Sequence, residues 1–110
     1  MILHIAHRPD WEAAQAAGEY RVDSLTTEGF IHCSTVEQVL GPANAFYRGR
    51  GDLVLLVIDP ARLAAELVYE DSYGSGTAFP HIYGALNLDA VTDVVPFPPR
   101  PDGTFELPPF

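Results

Sequence analysis

The apolar positions of the chain fall into short runs that predict strands separated by polar turns and two main helices. Leu53-Val-Leu-Leu-Val-Ile58 is apolar at every position. A strand of that kind has no solvent face, so it should be central and covered on both sides. Ile2-Leu-His-Ile-Ala6 reads as a first strand and Phe30-Ile-His-Cys33 as a second. Leu67–Glu70, His81–Tyr83 and Ala90–Val95 complete the strands. Asp10 is placed to cap a helix over Trp11–Ala17, with Gly18 at the left-handed position that ends it. Ser34 and Glu37, and again Thr35 and Gln38, have capping-box spacing, which predicts a helix over residues 35–47. Gly41-Pro42 should kink or divide it. Asp59-Pro60 suits the start of a short helix running to about Ala65. The polar stretch 71–80, with Gly74 and Gly76, reads as a mobile loop. Pro96–Pro101 is too rich in proline for a ladder and should cross an edge. Asp102-Gly103 predicts a turn, with Thr104–Leu107 returning as a short terminal strand. This order lacks regular βαβ alternation, so the expected class is α+β with a largely antiparallel or mixed sheet.

Composition narrows the partners. The 110 residues make a single domain, 1–110. Fifteen acidic residues against six basic ones give a net charge of −9. All the basic residues are arginine, which excludes a Schiff-base lysine and a P-loop lysine. A chain this acidic repels phosphate backbones, which disfavours duplex nucleic acid and anionic membrane surfaces. No apolar run has membrane-spanning length, and the opening Met1-Ile-Leu-His has no signal-peptide pattern. The lone cysteine, Cys33, excludes an internal disulfide framework and a multi-cysteine zinc site. The expectation is a cytoplasmic protein, monomeric by default, that handles a small-molecule or nucleotide ligand.

Histidines mark the candidate chemistry. His4, His32 and His81 each lie in a strand-like segment, on a face shared with apolar or small residues: Ile2 and Ala6, Phe30 and Ser34, Phe79 and Tyr83. Three such faces meeting would form one cleft; otherwise each imidazole is a core residue bonded to backbone. The spacings His4/His7 and Glu28/His32 would converge on one ion only on a helix, so no metal is expected. Cys33 faces away from His32 and suits packing rather than nucleophilic attack. Glu70 and Asp71 end a strand beside the polar loop, where a carboxylate serves as a base or bonds a ribose hydroxyl. Trp11, Tyr20 and Tyr47 are candidate pocket aromatics.

Several segments together resemble the domain of unknown function 952, a family of small bacterial proteins: Ile2-Leu-His4, Trp11, Ser24-Leu25, Glu28-Gly-Phe-Ile-His-Cys-Ser34, Phe46-Tyr47, Asp52–Asp59, Tyr69-Glu70 and Phe79-Pro-His-Ile-Tyr-Gly84. The resemblance runs from residue 2 to about residue 105. It implies a compact ADP-ribosyltransferase-like domain, with two small mixed or antiparallel sheets and two or three helices around a cleft that binds NAD. In a further likeness to tRNA 2′-phosphotransferases, His4 takes the place of the histidine near the end of the first strand, and Gly29-Phe-Ile-His32 that of a second motif. The sequence departs from the transferases in having His32 where a key tyrosine stands, no glycine after His4 and no arginine pattern near His32 or His81. The resemblance implies ligand binding, or ribosyl or phosphoryl transfer, with His4, His32, Glu70 and His81 as catalytic candidates. Trp11, Ser34, Tyr47 and Tyr83 are the ligand-binding candidates. The alternative is a non-catalytic module that recognises a small metabolite or a partner segment through the same cleft.

Overall fold

The computed structural model describes residues 1–110. The chain opens with β1 (Ile2–His7), α1 (Arg8–Ala17), β2 (Glu19–Tyr20), α2 (Ser24–Thr27), β3 (Ile31–His32) and α3 (Leu40–Phe46). It continues through β4 (Leu53–Ile58), a 3₁₀ turn (Pro60–Arg62), β5 (Glu66–Glu70) and β6 (Phe79–Tyr83). Then come β7 (Leu86–Asn87), a second 3₁₀ turn (Leu88–Ala90) and β8 (Val91–Pro96). The strands form three small sheets, in the orders β1-β4-β8, β2-β7 and β3-β6-β5. Every ladder is antiparallel. The class is α+β, with three sheets where two were expected.

The apolar run becomes the middle strand β4, and its two faces feed two separate cores. Val54, Leu56 and Ile58 join Ile2 and Ala6 of β1 on one face, packing against Ile31, Ile82, Leu86, Tyr20 and the Ala14 side of α1. Leu53, Leu55 and Val57 join Leu3 and Ile5 on the other, under Val39, Ala43 of α3, Phe97 and Phe105. All six side chains of β4 are buried. No helix is long and apolar enough to cross a membrane.

The local signals explain where the elements start and stop. Helix α1 begins at Arg8 rather than Trp11, because Pro9 fits the first turn and Arg8 N–H still bonds the Asp52 carbonyl at 2.7 Å. It ends at Gly18, whose φ of 84° lets its N–H return to the Ala14 carbonyl. The helix expected over 35–47 is shorter. Thr35–Val39 forms turns, in which Thr35 N–H bonds Gln38 Oε1 at 3.0 Å, and α3 starts only at Leu40. That start leaves Pro42 in the first turn, where a missing N–H costs nothing. The helix after Asp59 contracts to the 3₁₀ turn, capped by Asp59 Oδ1 accepting from Ala61 N–H. The expected strand at Thr104–Leu107 does not form. Phe105 is buried, but its N–H is taken by Asn44 Oδ1 at 2.8 Å instead of a neighbouring strand. The Asp102-Gly103 turn is present, with Gly103 at φ 86°.

Candidate functional site

The site begins at a strand edge that is paired at one residue only. Strand β1 flanks β4, and His4↔Leu56 and Ala6↔Val54 are among its register pairs. The Arg8–Asp52 bond continues that register and fixes its phase: even-numbered residues bond β4, and odd-numbered ones turn N–H and C=O outward. Leu3 spends both outward groups on Ser34, at 2.8 Å each way. The next outward pair belongs to Ile5, which lines a cleft of about 470 Å³. That volume is in the range of small-molecule sites.

The opposite wall comes from β3 and β6. Their register sets His32 directly across from His81, and β5 places Glu70 beside Phe79 on the same face. The two imidazole rings lie 5.4 Å apart, edge to face. Phe30 locks them, stacked on His81 at 4.0 Å and edge-on to His32 at 4.9 Å. Each histidine has its own carboxylate and tyrosine. His81 Nδ1–H donates to Glu70 Oε1 at 2.8 Å, and the Tyr83 hydroxyl donates to the same oxygen. His32 Nε2–H donates to Glu28 Oε2, while the Tyr73 hydroxyl reaches Glu28 Oε1 at 3.2 Å. Glu28 closes back on His32 because Gly29 turns the chain at φ 91°.

These bonds fix protons. A carboxylate only accepts, so His81 carries its hydrogen on Nδ1 and His32 on Nε2. Every buried side-chain nitrogen has a partner, so the unbonded Nε2 of His81 keeps some solvent access, although the residue, which lines the cleft, is only 2% exposed. The Tyr83 hydroxyl, then His81, holds the Glu70 carboxyl below the usual carboxylate range. His32 does the same to Glu28, with Tyr73 adding to it.

His4 is different in kind. Its Nδ1 bonds the His32 carbonyl at 2.5 Å and its Nε2 bonds the Tyr20 hydroxyl at 2.8 Å. Both ring nitrogens are used, which leaves none for a ligand. Burial, the dominant cause, pushes its pKa down to about 4, so the ring is neutral. His4 ties β1 to β3 and orients Tyr20, which makes it a positioning residue. At the far end of the cleft, His7 Nδ1 meets Asp52 Oδ2 at 3.1 Å, near Asp10, Tyr47 and an exposed Phe46. His7 holds the Asp52 carboxyl below its usual range.

The cleft therefore gathers all four histidines of the chain. Of the other sequence candidates, Glu70, Ser34, Tyr20 and Tyr47 line it. Tyr83 stands outside the lining and acts on it through Glu70. Trp11 lies apart from the cleft as well, packed on the first core with its ring 6.2 Å from Tyr20. Cys33 lines the cleft, but burial pushes its thiol pKa up, away from the reactive thiolate. No three His, Cys, Asp or Glu side chains are grouped to hold a metal ion. Tyr73 and Ser72 were not singled out by sequence as site residues, because a loop carries them to the cleft. That loop is tied by Asp71, whose carboxylate accepts from the N–H groups of Ser75 and Gly76 at 2.8 and 2.7 Å.

Residues 5–94 match the family model described as protein of unknown function (DUF952). Among solved structures, the chain is similar to the crystal structure of protein CC0527 from Caulobacter crescentus. The TM-score is 0.86 at 35% identity, covering 96% of this chain and 92% of that one. The solution NMR structure of CC0527 gives a TM-score of 0.82 at 36% identity, over 94% and 89% of the two chains. None of the curated proteins matches the chain.

Proposed function

The chain belongs to the DUF952 family, and we propose that its histidine-lined cleft binds a nucleoside-type ligand, an aromatic ring carried on ribose as in NAD, and acts on the ribosyl bond. The observation that carries this reading is the pairing of His81 Nδ1–H with Glu70, beside a cleft that His81 and Glu70 both line. A carboxylate that orients an imidazole and stabilises its protonated form is the arrangement general-base catalysis requires. The outward N–H and C=O of Ile5 suit a planar amide, donor matched to acceptor. Tyr20, Tyr47 and Phe79 supply apolar walls for a flat ring, and Ser34 a hydroxyl for the sugar. The ADP-ribosyltransferase-like arrangement of sheets around the cleft is part of the same proposal. Phosphoryl transfer fits less well, because no arginine lines the cleft to bind the phosphoryl oxygens.

In the reaction, the oxygen of water or of an acceptor hydroxyl attacks C1′ while the C1′–N bond breaks. The bond's electron pair leaves with the ring nitrogen, and the attacking oxygen gives its proton to Nε2 of His81. The anionic Glu70 opposes the positive charge that builds first on the ribosyl group and then on the imidazole. The test is an NMR titration of the labelled chain with nicotinamide riboside and NAD, followed by assay for released nicotinamide. Shifts centred on Ile5, Ser34 and His81, with release reduced about 100-fold or more in His81→Ala, are expected. Binding without release makes the cleft a recognition module, and no binding by either compound refutes the nucleoside reading.

A further inference from the structure

The charge of the cleft bears on which nucleoside-type compounds it admits. None of the chain's six arginines lines it, and there is no lysine. Arg21, Arg62 and Arg100 are each paired with a carboxylate elsewhere, Arg50 lies 3.7 Å from the Asp52 carboxylate that also holds His7, and Arg8 and Arg48 stand outside the lining. The histidines offer no free positive charge either. His32 and His81 each face a carboxylate, Glu28 and Glu70, so a proton on either ring gives a neutral pair, and His7 shares Asp52 with Arg50 at the rim. His4 has both ring nitrogens occupied inside the core. The N-terminal end of α1, which would attract an anion, already carries Asp10 in its first turn, and Asp10 lines the cleft. A phosphate or pyrophosphate entering this space would meet the carboxylates of Asp10 and Glu70 and no arginine or lysine among the lining residues, inside a chain of net charge −9.

We infer that the cleft selects phosphate-free N-glycosides, uncharged or cationic, over their phosphorylated counterparts. This rests on the nucleoside reading and narrows it: the substrate is the nucleoside, not the nucleotide or dinucleotide. A pyridinium nucleoside fits best, because its positive ring nitrogen is complementary to Glu70 and its leaving group departs as a neutral base without needing a proton.

Isothermal titration of the full chain with nicotinamide riboside, nicotinamide mononucleotide and NAD decides it. At low ionic strength the riboside should bind tightest, with the added phosphate costing about tenfold or more in affinity. Raising the salt should narrow that gap, since the penalty is a screened charge repulsion. Mononucleotide or NAD binding as tightly as the riboside would overturn the inference while leaving the nucleoside reading intact. A gap unchanged by salt would also overturn it, by showing that shape and not charge excludes the phosphate. If none of the three binds, the nucleoside reading itself fails and this inference falls with it.

Discussion

Acidification should unfold this protein through one buried imidazole. His4 is 6% exposed, donates to one carbonyl and accepts from Tyr20, and stays neutral down to about pH 4 in the native state. In the unfolded chain the same ring takes up a proton near its ordinary value of 6.5. Above pH 6.5 neither state is protonated there, and the group adds no pH dependence. Between pH 6.5 and about 4 the unfolded state holds the extra proton, so native stability falls as pH falls. A depression from 6.5 to about 4 corresponds to about 3 kcal/mol lost across that window.

The assay is urea unfolding followed by the fluorescence of Trp11, the single tryptophan, at steps from pH 7.5 to 4. Carboxylates such as Glu28 and Glu70 titrate toward the acid end, so the reference is a variant rather than the bare profile. His4→Phe combined with Tyr20→Phe removes the imidazole and the hydroxyl that bonds it, leaving no orphaned side-chain group. The native protein should lose about 3 kcal/mol more than this double variant between pH 7.5 and 4. Parallel profiles would refute the reasoning, as would NMR titration showing the His4 ring protonating near pH 6.5 in the folded protein.

Further expectations follow from the same packing. Tyr20→Phe alone strands Nε2 of His4 in the core and should cost about 1–3 kcal/mol by urea unfolding, part of which the added His4→Phe should restore. Leu55→Ala and Leu56→Ala, fully buried on opposite faces of β4, should each cost about 2–5 kcal/mol, and a loss under about half a kcal/mol would mean that face is not packed. Gly84 sits at φ 155°, and a Cβ there would lie 2.9 Å from Ala65 Cβ, so Gly84→Ala should cost more than about 1 kcal/mol of stability by urea unfolding. If the 71–80 loop closes over the cleft, hydrogen exchange across it should slow on saturation with nicotinamide riboside, and unchanged exchange would mean an open, preformed site.

The sequence made the fold legible where a pattern is long enough to have a period. β4 and β1 are six residues each and stand out by apolarity. β2 and β7 are two residues each and show no period, so the Glu19–Tyr20 and Leu86–Asn87 pairing goes unseen. Their pairing is decided by Tyr20 and Leu86 dropping into the core, which is a tertiary event. α2 is four residues, too short to carry an amphipathic stripe. Strand alternation did identify which histidines share a face with which neighbours. It could not distinguish a ring with a free nitrogen from one with none, because the partners of His4 lie 16 and 28 positions away. Tyr73 reaches His32 across 41 positions, by way of a loop whose path no local signal sets.

The chemistry of the cleft depends on a register more than on any one residue. His32↔His81 and Ile31↔Ile82 are adjacent rungs of the β3–β6 ladder, and Ile31 and Ile82 are both fully buried. A one-residue slip of β3 would turn Ile31 out of the core and His32 into it, parting His32 from His81. The apolar pair therefore enforces the polar pair, and the free energy that holds the two imidazoles 5.4 Å apart comes from the hydrophobic face behind them. The same logic extends through β5, whose register opposite β6 brings Glu70 into reach of His81 while Leu67 packs against the first core. Substituting Ile31 or Ile82 with a polar residue should thus disrupt the histidine–carboxylate geometry even though neither side chain faces the cleft. Substitutions at exposed β5 positions such as Tyr69 should leave it intact.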